Sequence, residues 1–81
     1  MSLNRAVAIA MADSPQAALV LIDRLATELD SYHLFHATRA DLLRRVGALQ
    51  KAAQSYIRAL ELATNDSERR FLERRRREVQ P

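Results

Sequence analysis

The feature that most constrains the fold is residues 32–62, which form two amphipathic helical patterns separated by a single glycine. Gly47 is the only glycine in the chain, and it follows the last periodic residue of the first pattern. A glycine at that position is typical of a left-handed helix C-cap. Small residues lie where the two helices would touch, namely Ala40, Ala52 and Ala59. The segment therefore predicts two helices packed closely across a tight turn.

This pattern is typical of a tetratricopeptide repeat, and a second copy of it lies 34 residues earlier in the chain. With that shift, Ala52 aligns with Ala18, and Tyr56 aligns with Ile22. The match is one of side-chain size, as expected if the shared constraint is the distance between neighbouring helices. The other aligned pairs are Ala40 with Ala6, Leu43 with Ile9 and Gly47 with Asp13, whereas Ala59 with Leu25 is a mismatch.

The periodicity predicts an all-α fold with five helices and no strand. We expect two tetratricopeptide-like helix-turn-helix repeats and a C-terminal capping helix, arranged as a right-handed solenoid. The single domain covers residues 1–81, with repeat one at about 3–26, repeat two at about 32–63 and the capping helix at about 66–79. Because the first helical pattern begins almost at residue 1, we expect the chain to be a fragment of a longer one.

Two loop segments contain signals for the start of a helix. Ser14 is followed by Pro15, so the hydroxyl predicts an N-cap and the proline a first helical residue. Residues 27–31 form a polar connection, in which Asp30 or Ser31 is the expected N-cap of the third helix. The second and third helices are therefore expected to begin at about residues 15 and 32.

The last helix is predicted to be apolar on one side and basic on the other. Asn65 precedes Glu68 by three residues, which is the spacing of a capping box. Phe71, Leu72 and Val79 predict a narrow apolar stripe along this helix. The arginines around that stripe form a candidate basic contact surface, which comprises Arg69, Arg70, Arg74, Arg76 and Arg77.

The charge of the chain leaves a nucleic-acid role open as an alternative function. The net charge is +3, with twelve arginines and one lysine among 81 residues. Ten carboxylates are interspersed with these cations, and Glu73 and Glu78 bracket the run of four arginines in the last helix. No aromatic residue interrupts that run to stack on bases. A solvated capping helix is therefore favoured over a phosphate-binding one.

The sequence contains no pattern that predicts catalysis, a cofactor or a metal site. His33 and His36 lie one helical turn apart, but no third ligand accompanies them, so packing is the favoured role. Asp and Glu residues are spread over different helices, and no glycine-rich loop is present to bind phosphate. We therefore expect a protein that is not an enzyme.

Composition favours a cytoplasmic location and gives no sign of a membrane partner. The chain has no cysteine, which fits a reducing compartment. Its longest apolar run, residues 6–12, is far shorter than the roughly 20 residues of a spanning helix.

Polar residues on the first helix of each predicted repeat form the candidate partner-binding surface. In solenoids these helices line the concave side, where segments of partner proteins bind. Arginine side chains suit carboxylates, and an amide suits a peptide backbone. Asp41 and Arg45 also have the spacing of a local surface pair. The candidate residues are Asn4, Arg5, Arg39, Asp41, Arg44 and Arg45.

Four phrases of the sequence resemble the C-terminal extension of bacterial extracytoplasmic-function RNA polymerase sigma factors. These phrases are Leu3-Asn4-Arg5-Ala6, Tyr32-His33, Arg39-Ala40-Asp41-Leu42-Leu43-Arg44-Arg45 and Glu68-Arg69-Arg70-Phe71-Leu72. The resemblance covers nearly the whole chain. It carries over, as surface or inter-helix contacts without assigned roles, Asn4, Arg5, Tyr32, His33, Asp41, Arg44, Arg45, Arg69 and Arg70.

The resemblance implies a non-catalytic regulatory domain that modulates sigma-dependent transcription initiation. Its expected partners are proteins: the sigma regions of the same chain, RNA polymerase or a regulator. DNA would be contacted only indirectly, through sigma regions that this sequence does not contain. A further alternative is self-association into a weak homodimer, because two repeats leave an open edge with alanine-rich faces.

Overall fold

The computed structural model describes residues 3–79, and within α1 it leaves the side chains of residues 3, 4, 6 and 10 undescribed. The described part is all-helical and contains no strand. No helix in this part is long and apolar enough to cross a membrane. The helices are α1 (Leu3–Met11), α2 (Pro15–Arg24), α3 (Ala26–Leu29), α4 (His33–Arg45), α5 (Leu49–Leu62) and α6 (Asp66–Val79).

The short helix α3 is the main difference from the five predicted helices, because it occupies part of the expected polar connection. α2 ends at Arg24, and the amide of Leu25 donates to the carbonyl of Ile22 at 2.9 Å. Leu25, Ala26 and Leu29 then pack against the core. Burial of these three side chains favours one further helical turn where polarity alone predicted a loop.

The long helices pack in chain order, with α1 against α2, α2 against α4, α4 against α5 and α5 against α6. Two apolar clusters result, and α4 contributes to both of them. Phe35 and Leu42 pack with Ile22 in the first cluster, whereas Ala40 and Leu43 pack with α5 and α6 in the second. α4 is therefore apolar on two faces and holds the N-terminal and C-terminal halves of the domain together.

Three helix starts can be compared with the sequence predictions. Ser14 Oγ accepts a hydrogen bond from the amide of Ala17 at 3.0 Å, which confirms the predicted cap of α2. Asn65 Oδ1 accepts from the amide of Glu68 at 3.1 Å, which confirms the predicted start of α6. The prediction for α4 was wrong, because Tyr32 precedes that helix and provides no side-chain cap. Neither Asp30 nor Ser31 occupies the N-cap position, since the chain is still turning out of α3 there.

Gly47 forms the turn between α4 and α5. Its φ angle is +86°, in the left-handed region, as predicted for a C-cap. The amide of Gly47 donates to Arg44 O at 3.1 Å, and the amide of Ala48 donates to Leu43 O at 2.9 Å. This pair of bonds is a Schellman motif, which satisfies carbonyls that the end of α4 leaves free.

Residue pairs that support the 34-residue shift are equally buried on α2 and α5, but they differ in burial on α1 and α4. Ala18 and Ala52 are both fully buried, and so are Ile22 and Tyr56. Ile9 is 63% exposed although its aligned residue, Leu43, is buried, because no described helix packs on that side of α1 as α2 packs beside α4.

The predicted stripe on α6 is only partly correct. Leu72 and Val79 are buried against α5, whereas Phe71 is 47% exposed. Phe71 and Leu72 are adjacent residues and so point about 100° apart around a helix, and only Leu72 faces the core.

Candidate functional site

Arg39 lies at the point where three helices meet. From α4, its Nε donates to Asp23 Oδ1 on α2 at 3.1 Å, and one terminal nitrogen donates to Ser55 Oγ on α5 at 3.0 Å. Ser55 is one of the few buried polar residues. This predicted partner-binding residue therefore uses its donors to connect helices of the domain.

Asp41, Arg44 and Arg45 form a cluster at the C-terminal half of α4. Asp41 Oδ1 accepts from an Arg44 terminal nitrogen at 2.6 Å, and Asp41 Oδ2 accepts from Arg45 Nε at 2.9 Å. Both carboxylate oxygens are thus occupied by arginines of the same helix. The cluster lies roughly 200° around α4 from Arg39, so the structure divides the predicted surface of α4 between two faces.

Arg44 also lies beside the phenol of Tyr56, a core residue of α5. The pKa of Arg44 is raised above its ordinary value. The hydrogen bond to Asp41 is the main cause, and the hydrogen bond to Tyr56 raises the pKa further. Burial raises the pKa of Tyr56, and the hydrogen bond from Arg44 partly offsets this rise. Arg44 Nε is buried without a hydrogen-bond partner in the described residues. The guanidinium is therefore held in place by the domain itself.

The remaining residues of the predicted partner surface belong to α1. Arg5 is exposed on that helix. The side chain of Asn4 lies outside the described part of the structure.

The arginines of α6 differ in which groups they bind. Arg69 donates to two carbonyls at the end of α5, Leu60 O at 2.5 Å and Ala63 O at 3.3 Å. Arg76 pairs with Glu73 one turn earlier. That hydrogen bond is the main cause that lowers the pKa of Glu73 below its ordinary value. Two of the five predicted contact residues are therefore engaged within the domain.

The other three predicted contact residues of α6, Arg70, Arg74 and Arg77, are exposed. Arg70 and Arg74 form no hydrogen bond or ion pair among the described residues. Arg77 has a side chain that is 75% exposed, and its Nε lies 4.0 Å from Glu73. Arg70, Arg74 and Arg77 are therefore the α6 arginines that have no close partner within the domain, since the one carboxylate near them is 4.0 Å from Arg77.

The two histidines have separate partners. His33 Nε2 donates to Glu68 Oε2 at 3.0 Å and so connects the starts of α4 and α6. His36 is buried, and its Nε2 donates to the carbonyl oxygen of Asp30 at 2.6 Å. Within residues 3–79, no group of three or more His, Cys, Asp or Glu side chains is placed to hold a metal ion.

An apolar groove of about 610 Å³ between α5 and the end of α6 is the feature that the sequence did not predict. Leu49, Ala53 and Ile57 line it from α5, and Val79 lines it from α6. Leu49 and Ile57 are 46% and 41% exposed. The polar residues of its rim are Gln50, Gln54 and Glu78.

The signal for this groove was present in the sequence but incomplete. Leu49, Ala53 and Ile57 recur every four residues, which marks one face of a helix. The core of the domain uses mainly a neighbouring face of α5, that of Ala52, Tyr56 and Ala59, and Ala53 belongs to both the core and the groove. Only the packing of α6 shows that the second apolar face is left partly uncovered.

No family model matches the sequence, and no solved structure matches it. The chain is similar to an uncharacterized protein of Rhizobium meliloti (strain 1021), with 38% identity over 71 residues. The match covers 88% of this chain and 17% of the relative. The chain thus spans about one sixth of the length of the curated relative that it matches.

Proposed function

We propose that this chain is a non-catalytic protein-interaction domain of an extracytoplasmic-function RNA polymerase sigma factor, and that it modulates sigma-dependent transcription initiation in the cytoplasm. The resemblance of the phrases around Asn4, Tyr32, Asp41 and Arg69 supports the family. The length of the Rhizobium relative supports a module within a larger polypeptide, because the matched segment is 17% of that protein.

The proposed architecture is two tetratricopeptide-like repeats, α1–α2 and α4–α5, capped by α6. The equivalent burial of Ala18 and Ala52, and of Ile22 and Tyr56, supports this assignment. The chain-order packing of the long helices supports a solenoid, in which each element contacts its neighbours. In this arrangement α3 is an insertion between the repeats.

The observation that carries the proposal is the apolar groove between α5 and α6. Leu49 and Ile57 expose apolar surface to water, although a domain of this size can bury only a small apolar core. A row of apolar side chains with a polar rim is typical of grooves that bind an amphipathic helix. We propose that a helix of the sigma regions of the same polypeptide occupies this groove.

A calorimetric titration of this domain with the sigma regions of its polypeptide tests the proposal. We expect Ile57→Glu to weaken binding about tenfold or more, because a carboxylate is placed in the apolar contact. Val20→Glu is the matched control, since Val20 is 55% exposed on α2 and does not line the groove. Equal affinity of both variants and the parent contradicts docking in the groove.

Two further measurements separate the alternative functions. Binding to promoter DNA that weakens steeply with salt, with no binding to the sigma regions, supports a nucleic-acid domain instead. A mass that rises with concentration in sedimentation experiments, and that Ile57→Glu lowers, supports a groove occupied by a second copy.

A further inference from the structure

The solvent face of α6 presents three arginines in one row. Arg70, Arg74 and Arg77 occupy helical positions i, i+4 and i+7. The row lies on the side of the helix opposite Leu72 and Val79, which are buried against α5. It spans about 10 Å along the helix axis. The three guanidinium groups therefore point away from the domain together.

The other arginines of α6 have hydrogen-bond or ion-pair partners within the domain, whereas this row is exposed. Arg75 pairs with Glu78 at 3.0 Å, Arg76 pairs with Glu73, and Arg69 binds carbonyls of α5. In the row itself, the nearest carboxylate among the described residues is that of Glu73, with its Oε1 4.0 Å from Arg77 Nε. Three like charges at this spacing repel one another, and an anionic partner removes that repulsion.

An exposed aromatic side chain borders the row. Phe71 is 47% exposed and lies next to Arg70 in the chain and one turn before Arg74. The guanidinium of Arg75 lies 5.5 Å from the centre of the Phe71 ring, which restrains the ring on the surface. Arginine and aromatic residues are the types most enriched in protein interfaces.

The geometry fits an acidic helix better than a nucleic acid. Carboxylates at positions i, i+4 and i+7 of a second helix repeat over the same distance as the row. Arg39, Arg44 and Arg45 are all paired with carboxylates, so no basic track continues from α6 onto α4.

We propose that the solvent face of α6 binds an acidic, amphipathic helical segment of a partner protein. Arg70, Arg74 and Arg77 pair with a row of carboxylates, and Phe71 packs against an apolar side chain beside them. None of these four residues lines the groove between α5 and α6, so this surface is separate from the groove.

The test uses the full 81-residue chain and a fluorescent helical peptide of about 15 residues. The peptide carries Glu at positions i, i+4 and i+7 with Leu on the adjoining face, and a second peptide has Gln in place of each Glu. We expect saturable binding of the Glu peptide and binding about tenfold weaker for the Gln peptide.

The decisive variant combines Arg70→Gln, Arg74→Gln and Arg77→Gln, and we expect it to weaken binding of the Glu peptide about tenfold or more. The matched control combines Arg24→Gln, Lys51→Gln and Arg58→Gln, which removes the same net charge from α2 and α5. We expect the control to bind like the parent. These side chains are exposed except for that of Arg58, which is half-buried and lies 3.5 Å from Asp30. Circular dichroism checks that both variants fold.

A separate variant, Phe71→Ala, distinguishes the two classes of partner. We expect it to weaken peptide binding about threefold or more, since the apolar contact is lost. The proposal is overturned if the Glu peptide does not bind, or if the two triple variants lose affinity equally. It is also overturned if duplex DNA binds more tightly than the peptide and Phe71→Ala leaves DNA binding unchanged.

Discussion

Gly47 is the residue at which the backbone itself limits substitution. Its φ is +86°, and no other described residue has a positive φ. A Cβ atom at this position meets nothing within 4 Å, so any cost of a side chain comes from the backbone conformation and not from crowding.

We expect Gly47→Ala to lower the free energy of unfolding by about 1 kcal/mol, because an L-residue with a side chain disfavours the left-handed region. Gly47→Asn is the matched comparison and should cost less, since Asn tolerates that region. Urea unfolding measures both. Equal stability of Gly47→Ala and the parent contradicts the assigned turn.

Ionisation of the buried Tyr56 is expected to lower the stability of the domain at alkaline pH. Tyr56 is 1% exposed, and burial raises the pKa of its phenol above the ordinary 10.0. The folded protein therefore holds this proton more tightly than the unfolded chain does. The contribution of the Tyr56 phenol to the free energy of unfolding is fully present below its unfolded-state pKa. It is lost as the pH rises through its folded-state pKa.

We expect the free energy of unfolding to fall as the pH rises above about 10, and Tyr56→Phe to reduce that fall. Urea unfolding between about pH 8 and pH 11 measures the difference. Below pH 10, Tyr56→Phe is expected to cost about 1 kcal/mol for the lost interaction with Arg44. If the variant loses stability as steeply as the parent, another group causes the alkaline loss.

At the scale of the element, α6 is attached to α5 by a side chain as well as by apolar packing. The guanidinium of Arg69 donates hydrogen bonds to two carbonyls near the end of α5, those of Leu60 and Ala63. Carbonyls in the last turn of a helix lack intrahelical partners, so this contact ends α5 and positions α6 at once.

We expect Arg69→Ala to destabilise the domain by about 1 kcal/mol or more. Arg70→Ala is the matched control on the same helix, and we expect it to change stability by less than about 0.5 kcal/mol. Thermal unfolding followed by circular dichroism compares the two. A control variant as unstable as Arg69→Ala shows that the loss comes from helix propensity or charge and not from the carbonyl contacts.

At the scale of the whole molecule, stability depends on a small core shared by successive helices. The domain has 81 residues, and chains of this size have only about 5 kcal/mol or somewhat more to lose. Leu72 is fully buried where α6 meets α5, whereas its neighbour Phe71 is largely outside the core.

We expect Leu72→Ala to cost about 2 to 5 kcal/mol and to lower the unfolding temperature by about 10 °C or more. Phe71→Ala removes a larger side chain from the adjacent position and should have little effect on stability. Differential scanning calorimetry of both variants tests the packing of α6. A larger loss for Phe71→Ala indicates that α6 is rotated from the position described.

Much of the fold could be predicted because its signals are local. Ser14 and Asn65 cap helices through atoms three residues away, and Gly47 ends α4 through its own backbone. The candidate site was less predictable. The prediction grouped Arg39 with Asp41, although a spacing of two residues already places them on different faces of a helix. It also grouped Arg69 with Arg70. Of these two, Arg69 binds carbonyls of α5 and Arg70 has no partner among the described residues.

The sequence by itself determined the five long helices, most of their limits and the residues available for the core, because helical periodicity and capping act within a few positions. The pairs Arg75–Glu78 and Arg76–Glu73 follow from a spacing of three residues within α6. Tertiary structure alone decided which of two apolar faces of α5 remains open as a groove, and that Arg69 binds carbonyls of α5. Both of these outcomes depend on the distance and rotation of one helix against another. Those distances are set by packing and not by spacing along the chain.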